Sequence, residues 1–146
     1  MSDGVTYRLL GPDDEPVLHD VAEGVFDRPV DEALAHAFLV DPRHHLAVAL
    51  HGNVVVGFVS AVDYVHPDKA RQLWINEVGV AARYRRKGVA RKLMQLILDH
   101  ARELGCSEAW VLTDAENVPA NALYQSVVSP LKADFEPQRL YSFQLR

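Results

Sequence analysis

The chain has 146 residues, 49% of them apolar and 24% charged, with a formal net charge of −5. This is the length and balance of one soluble domain with a real core, here residues 1–146. No apolar run approaches the ~18 residues that span a membrane, and the start "MSDGVTYRLL" has no leader pattern, so a cytoplasmic protein is expected. The single cysteine, Cys106, excludes an internal disulfide and reads as a small core residue rather than a nucleophile.

In chain order, "VTYRLLG" (5–11) alternates and ends at Gly-Pro, which predicts a first strand. "PDDEPVLHDVAEGVF" (12–26) opens on Pro and acids and then spaces Val17, Leu18, Val21, Ala22 and Val25 on one face, which predicts a helix. "DEALAHAFLV" (31–40) predicts a second short helix capped by Asp31. His44 and His45 read as loop residues without metal-ligand spacing. "HLAVAL" (45–50) and "VVVGFVSAVDY" (54–64) predict a hairpin turning at Gly52-Asn53. "VHPDKARQ" (65–72) reads as a polar loop and "LWINEVGVA" (73–81) as a central strand. Val89, Leu93, Leu96, Ile97, Ala101 and Leu104 make the apolar face of a long helix that Gly105 stops. A strand over 107–114, a short helix over 117–126 and a last strand over 138–145 complete the order, with a further short strand near 131–135. A strand feeding a long helix that returns to a strand implies a parallel pair within a mixed sheet.

Charge is unevenly spread. Residues 83–92 hold Arg83, Arg85, Arg86, Lys87, Arg91 and Lys92 and no acid, while the rest of the chain carries 9 basic and 20 acidic residues. One local anion site on an acidic body disfavours nucleic acid, which needs an extended basic face. It favours a cationic small-molecule partner drawn in by the surrounding field. The six cations sit where a strand turns into a helix, and the first amides of such a helix have no internal partner. Gly88 and Ala90 keep side chains away from those amides. A solvated basic helix start with nothing bound explains the same residues. No dinucleotide fingerprint or GKT/GKS nucleotide loop is present.

"RRKGVA" (85–90) satisfies Gln/Arg-x-x-Gly-x-Gly/Ala, and "NVPANALY" (117–124) satisfies Asn-x-x-Ala-x-x-Leu-Tyr. On these motifs the chain resembles the GNAT superfamily of N-acetyltransferases. The resemblance implies an α/β (α+β) fold: a mixed, mostly antiparallel sheet splayed around a β-α-β cofactor site, with helices on both faces. It implies acetyl-coenzyme A, with the pyrophosphate on the amides of Arg86, Lys87, Gly88, Val89, Ala90 and Arg91 and with Arg85 adding charge. It places the pantetheine arm along Val78 and Val80, within reach of Asn117. It gives Tyr124 the role of acid toward the leaving thiolate and the Val80 N–H that of polarising the thioester carbonyl.

Glu77 is the one acid in a strand otherwise suited to burial, so it is the candidate base or substrate anchor. A solvent-facing strand residue is the plainer explanation. Asp114 and Glu116 end the next strand and enter a loop, where they are candidate substrate ligands or solvated acids. "DYVHPDKARQLWINEVGV" (63–80) is similar to the corresponding stretch of aminoglycoside 3-N-acetyltransferases through Tyr64, Pro67, Glu77, Val78 and Val80. Those enzymes commonly have Asp at the position of Glu77 and acids where Asn117 and Val118 stand, and the usual Gly-Phe after the tyrosine is missing. The expected acceptor is therefore an aminoglycoside amine bound by Tyr64, Glu77, Asp114 and Glu116. The alternatives are another small-molecule or protein amine, and a non-catalytic acyl-coenzyme A-binding module. A homodimer is compatible with any of these; no metal and no membrane partner is expected.

Overall fold

The structure is a computed structural model that describes residues 4–127 and 135–146. Contacts divide the chain into two compact units, the first ending at Val111 and the second beginning at Leu112. The first unit is a five-stranded mixed sheet in the order β1-β2-β3-β4-β5. Its strands are Val5–Leu9, His44–His51, Val54–His66, Lys69–Val80 and Glu108–Val111, with helices α1 (Glu32–Val40) and α2 (Val89–Glu103). Neighbours pair antiparallel except β4 and β5, which run parallel across the α2 crossover.

Side chains alternate across the sheet and give each helix its own face. Leu46, Val48, Leu50 and Phe58 pack with Ala35 and Leu39 of α1 and with Leu18 and Val25. The opposite face carries small residues: Ala47 and Ala49 on β2 are fully buried, and a methyl on Gly57 would press on Val89 and Leu93. That smooth surface seats α2 through Val89, Leu93, Met94, Ile97 and Ala101. Leu96 and Leu104 are half-buried at its margin. Cys106 is also half-buried, and burial, first of all, pushes its thiol above the usual range, as an inert thiol requires.

Several expected elements form as read. Asp31 caps α1, its Oδ1 accepting from the Leu34 N–H at 2.9 Å. The hairpin turns at Gly52-Asn53, with Gly52 at φ 62°. Others differ. The helix expected over 12–26 is only a 3-10 turn at Glu15–His19, because the chain leaves the helix to pair with β3: the Val55 N–H donates to the Asp20 carbonyl and the Ala22 N–H to the Val55 carbonyl, each at 2.9 Å. Residues 65–72 are not a loop. β3 runs to His66 and β4 starts at Lys69, so Pro67-Asp68 is a tight hairpin turn. The strand expected over 107–114 shortens to Glu108–Val111.

His44 and His45 open β2 rather than a loop. His45 is buried, with Nε2 2.6 Å from the Asp63 carboxylate and Nδ1 2.9 Å from His100 Nε2, while Arg71 pairs with the other Asp63 oxygen. Three strands thus meet on one buried carboxylate, and α2 joins them through His45. Burial, and then the neighbouring His45, hold the His100 imidazole below the ordinary histidine range.

The second unit contains α3 (Val118–Ser126), capped by Asn117, whose Oδ1 accepts from the Ala120 N–H at 3.1 Å. The strand expected over 138–145 is absent: these residues make no ladder, and Leu140, Tyr141, Phe143 and Leu145 are exposed. The short strand expected near 131–135 falls largely on residues 131–134, outside the described residues. Among the described residues no helix is long and apolar enough to cross a membrane.

Candidate active site

Two features of β4 build the site in the first unit. The first is a bulge. Ser60 pairs with Glu77 and Ala61 with Ile75, which leaves Asn76 as an extra residue. Regular alternation from Leu73 and Ile75 would put residue 77 on the α2 face. The bulge shifts the phase, so that Asn76 and Glu77 both line a cavity on the α1 face. The second feature is Gly79. A methyl there would overlap the Val25 carbonyl and lie 2.6 Å from the Phe58 ring. Only glycine lets the segment between the 3-10 turn and α1 lie directly on β4. Phe26 continues the contact by stacking on Phe58, with ring centres 4.2 Å apart. Gly79→Ala is therefore expected to cost about 3 kcal/mol, read as a lower denaturant midpoint at unchanged slope.

The cavity encloses about 520 Å³. Phe26, Phe38, Phe58, Leu18 and Leu46 form apolar walls, and Asp27, Arg28, Asp31, Ser60, Asn76 and Glu77 supply the polar groups. Size and lining suit one small molecule or the reacting end of a larger one. Glu77 is exposed toward the cavity mouth. Partial burial, then the charge of Asp27 and a hydrogen bond with it, raise the Glu77 carboxyl above its ordinary range. Sequence reasoning missed Asp27. Its signal was only an acid in "VFDRPVD", and nothing local ties that segment to β4.

The cationic stretch forms the expected turn into α2. Gly88 is the N-cap in the left-handed region, φ 81°, with open space where a side chain would stand. Arg86 also has a positive φ, 62°. No side chain caps the helix, so its first amides stay available to a ligand. Arg85 is partly committed: its Nε donates to the Val80 carbonyl at 3.0 Å and ties the loop to the end of β4. Beyond Ile75, which pairs with Val111, β4 has no ladder partner on its β5 side among the described residues. An unpaired strand edge followed by an uncapped helix start fits an extended thioester arm that ends in a pyrophosphate.

The remaining expected residues fall elsewhere. The Tyr64 hydroxyl donates to Gln72 Oε1 at 3.1 Å and accepts from Trp110 Nε1 at 2.9 Å, and Tyr64 is not among the residues lining the cavity. Trp74 and Trp110 stack at 5.8 Å, half-buried. In the second unit, Asp114 and Glu116 are exposed and Asn117 is occupied as a cap. Tyr124 lies on α3, where burial raises its phenol above the usual range.

The acetyltransferase (GNAT) family profile matches residues 9–127. The chain belongs to this family. Membership gives this GNAT domain acetyl-coenzyme A as acyl donor and N-acetyl transfer as reaction class. Rattus norvegicus N-acetyltransferase family 8 member 2 is 32% identical over 81 residues, 55% of this chain and 36% of that protein. The chain spans less than half the length of the curated relatives it matches. Among solved structures, the aminoglycoside acetyltransferase meta-AAC0020 from an uncultured soil metagenomic sample superposes with a TM-score of 0.79 in its trehalose complex, at 20% identity over 98% of this chain and 99% of that one. Its sisomicin complex gives 0.76 at 19% identity, over 97% and 98%. AAC(6')-Iy with a coenzyme A–acetylneamine bisubstrate analogue gives 0.75 at 19% identity, over 96% and 98%. Ribosomal-protein-alanine N-acetyltransferase from Brucella melitensis biovar Abortus 2308 gives 0.67 at 22% identity, over 94% and 99%. At these identities the structural likeness establishes the GNAT fold and no acceptor.

Proposed function

We propose that the chain acetylates a primary amine of a cationic small molecule, most simply an aminoglycoside. The observation that carries this reading is the β4 carboxylate, Glu77, at the mouth of an apolar-walled cavity. An ammonium group needs such a carboxylate, and a sugar or alkyl frame needs such walls. The sisomicin complex of a structural neighbour adds support. The 3-N position remains the regiochemistry suggested by the residues around Tyr64 and Glu77, beside the 6' position in a neighbour's name. A protein amine is the second reading, favoured by the ribosomal-protein-alanine neighbour. A non-catalytic acyl-coenzyme A-binding module is the third. It is disfavoured by an acid with raised basicity and a phenol that keeps its proton.

In this reading acetyl-coenzyme A supplies the activated acetyl group as a thioester. Val78 and Val80 would hold the pantetheine arm by their backbone, and Asn117 is the residue that the family motif assigns to the same arm. Arg86 to Arg91 receive the pyrophosphate on their amides, helped by the charges of Arg85, Lys87 and Arg91. Glu77 removes the amine proton, and Tyr124 returns one to the departing sulfur. Asp114 and Glu116 add negative charge for a polycation. The two units thus serve one acetyltransferase domain, as the family match across both suggests.

Thiol release across a panel of aminoglycosides, simple polyamines and peptides tests the acceptor. Turnover with peptides alone would transfer the assignment to a protein amine, and none with any amine would leave the binding module. The cofactor half is tested separately. Gly88→Asp adds bulk and negative charge beside the pyrophosphate position, so calorimetry should show acetyl-coenzyme A bound at least ~10-fold more weakly. Unchanged affinity in a folded variant would remove the stretch from the site.

A further inference from the structure

We propose that Asp27 completes the base: Asp27 and Glu77 form a carboxyl–carboxylate pair that shares one proton and receives the acceptor's ammonium group between its two members. The inference rests on the amine-acetylating reading and assigns that site a second carboxylate. Its basis is geometric. The missing side chain at Gly79 lets Val25 lie on β4, and the bulge at Asn76 turns Glu77 to the same face. Asp27, two residues after Val25, and Glu77, two before Gly79, then line one cavity, where the Asp27 carboxyl is the charged neighbour that bears on Glu77. Neither Asp27 nor Glu77 makes an ion pair with a cation among the described residues.

The charged and titratable groups facing the cavity are Asp27, Arg28, Asp31 and Glu77. Asp31 is committed to the N-terminus of α1. Arg28 makes no ion pair with either carboxylate among the described residues. Two carboxyl groups side by side repel when both are ionised, so the pair holds one proton to a higher pH than a lone carboxyl and gains from a cation between its members. A docking ammonium supplies that cation, and the shared proton leaves to solvent. In the chemical step Glu77 takes one proton from the ammonium, the freed nitrogen lone pair attacks the thioester carbonyl carbon, the carbon–sulfur bond breaks, and the proton that the nitrogen then sheds balances the one delivered to the leaving thiolate, giving the amide and free coenzyme A. The proton held by Glu77 is again the shared one. The pair thus selects primary aliphatic amines that are cationic at neutral pH and carry enough apolar frame to lie on Phe26, Phe38 and Phe58.

Asp27 is exposed, so Asp27→Asn should fold, and its amide can still hydrogen-bond Glu77. The first readout needs no acceptor. Carboxyl-carbon NMR titration should show Glu77 titrating above the usual range in the wild type and returning toward it in Asp27→Asn; an unmoved Glu77 overturns the pair. The second uses 1,4-diaminobutane, n-butylamine and 4-aminobutanoate by calorimetry at pH 5 in two buffers of different ionisation enthalpy. The wild type should release a proton on binding either amine, whereas Asp27→Asn should bind about 10-fold more weakly and release a clearly smaller fraction of a proton. Tighter binding of 4-aminobutanoate than of the diamine would make Arg28 the dominant group and overturn the proposal, as would no amine binding. Acetyl-coenzyme A affinity should be the same in both proteins. A wild type that binds the diamine with proton release but acetylates no amine would refute the transferase reading while leaving the pair intact.

Discussion

Glu77→Gln is expected to lower acceptor kcat/KM by on the order of 10²- to 10³-fold while acetyl-coenzyme A still binds. Glutamine keeps the shape and can hydrogen-bond Asp27, but it cannot take a proton. The effect should depend on pH. Glu77 acts in its ionised form, and burial together with Asp27 raises its carboxyl above the ordinary range. Wild-type kcat/KM should therefore fall as pH drops through a value above that of a free glutamate, and Glu77→Gln should lack this limb. A wild-type profile flat down to the ordinary carboxylate range would remove Glu77 as base.

Tyr124→Phe deletes one hydroxyl and almost no volume. If the phenol protonates the departing sulfur, kcat should drop about 10²-fold with cofactor affinity nearly kept. Burial keeps the phenol protonated through neutral pH, so wild-type activity should show no loss from its ionisation there. A p-nitrothiophenyl acetate donor, whose thiolate leaves without help, should narrow the gap between variant and wild type. A variant slowed equally with both donors would indicate a packing role instead.

The turn proposed for the cofactor was legible as a shape because it is local. Gly88 and the cations around it are consecutive in sequence, and a strand turning into a helix has the same unpaired amides wherever it occurs. Of the cavity proposed for the acceptor, the sequence singled out only Glu77, and for an incomplete reason. Its strand looked uniformly buried, but the bulge at Asn76 changes which face residue 77 occupies, and one extra residue leaves no mark in an apolar alternation. Asp27 was invisible because its partner lies 50 positions away and the link is a missing methyl at Gly79. The helix expected over 12–26 failed for a related reason. Spacing favoured a helix, but Asp20 and Ala22 gain hydrogen bonds from β3 that a helix would forfeit. At 65–72 polarity suggested a loop, whereas a hairpin tip satisfies its backbone with polar side chains outward. Over 138–145 the alternation was real, but a strand also needs a neighbour, and sequence pattern says nothing of whether one is supplied.

The early end of the β4–β5 ladder at Ile75 has a consequence for solvent access. β4 sits between two strands, yet between Asn76 and Val80 every second amide faces away from β3 and lacks a strand partner among the described residues. In deuterated buffer this short run should lose its protons far faster than Leu73 to Ile75 on the same strand. One strand would then carry two exchange classes separated at the bulge, and acetyl-coenzyme A laid along that edge should merge them into one slow class.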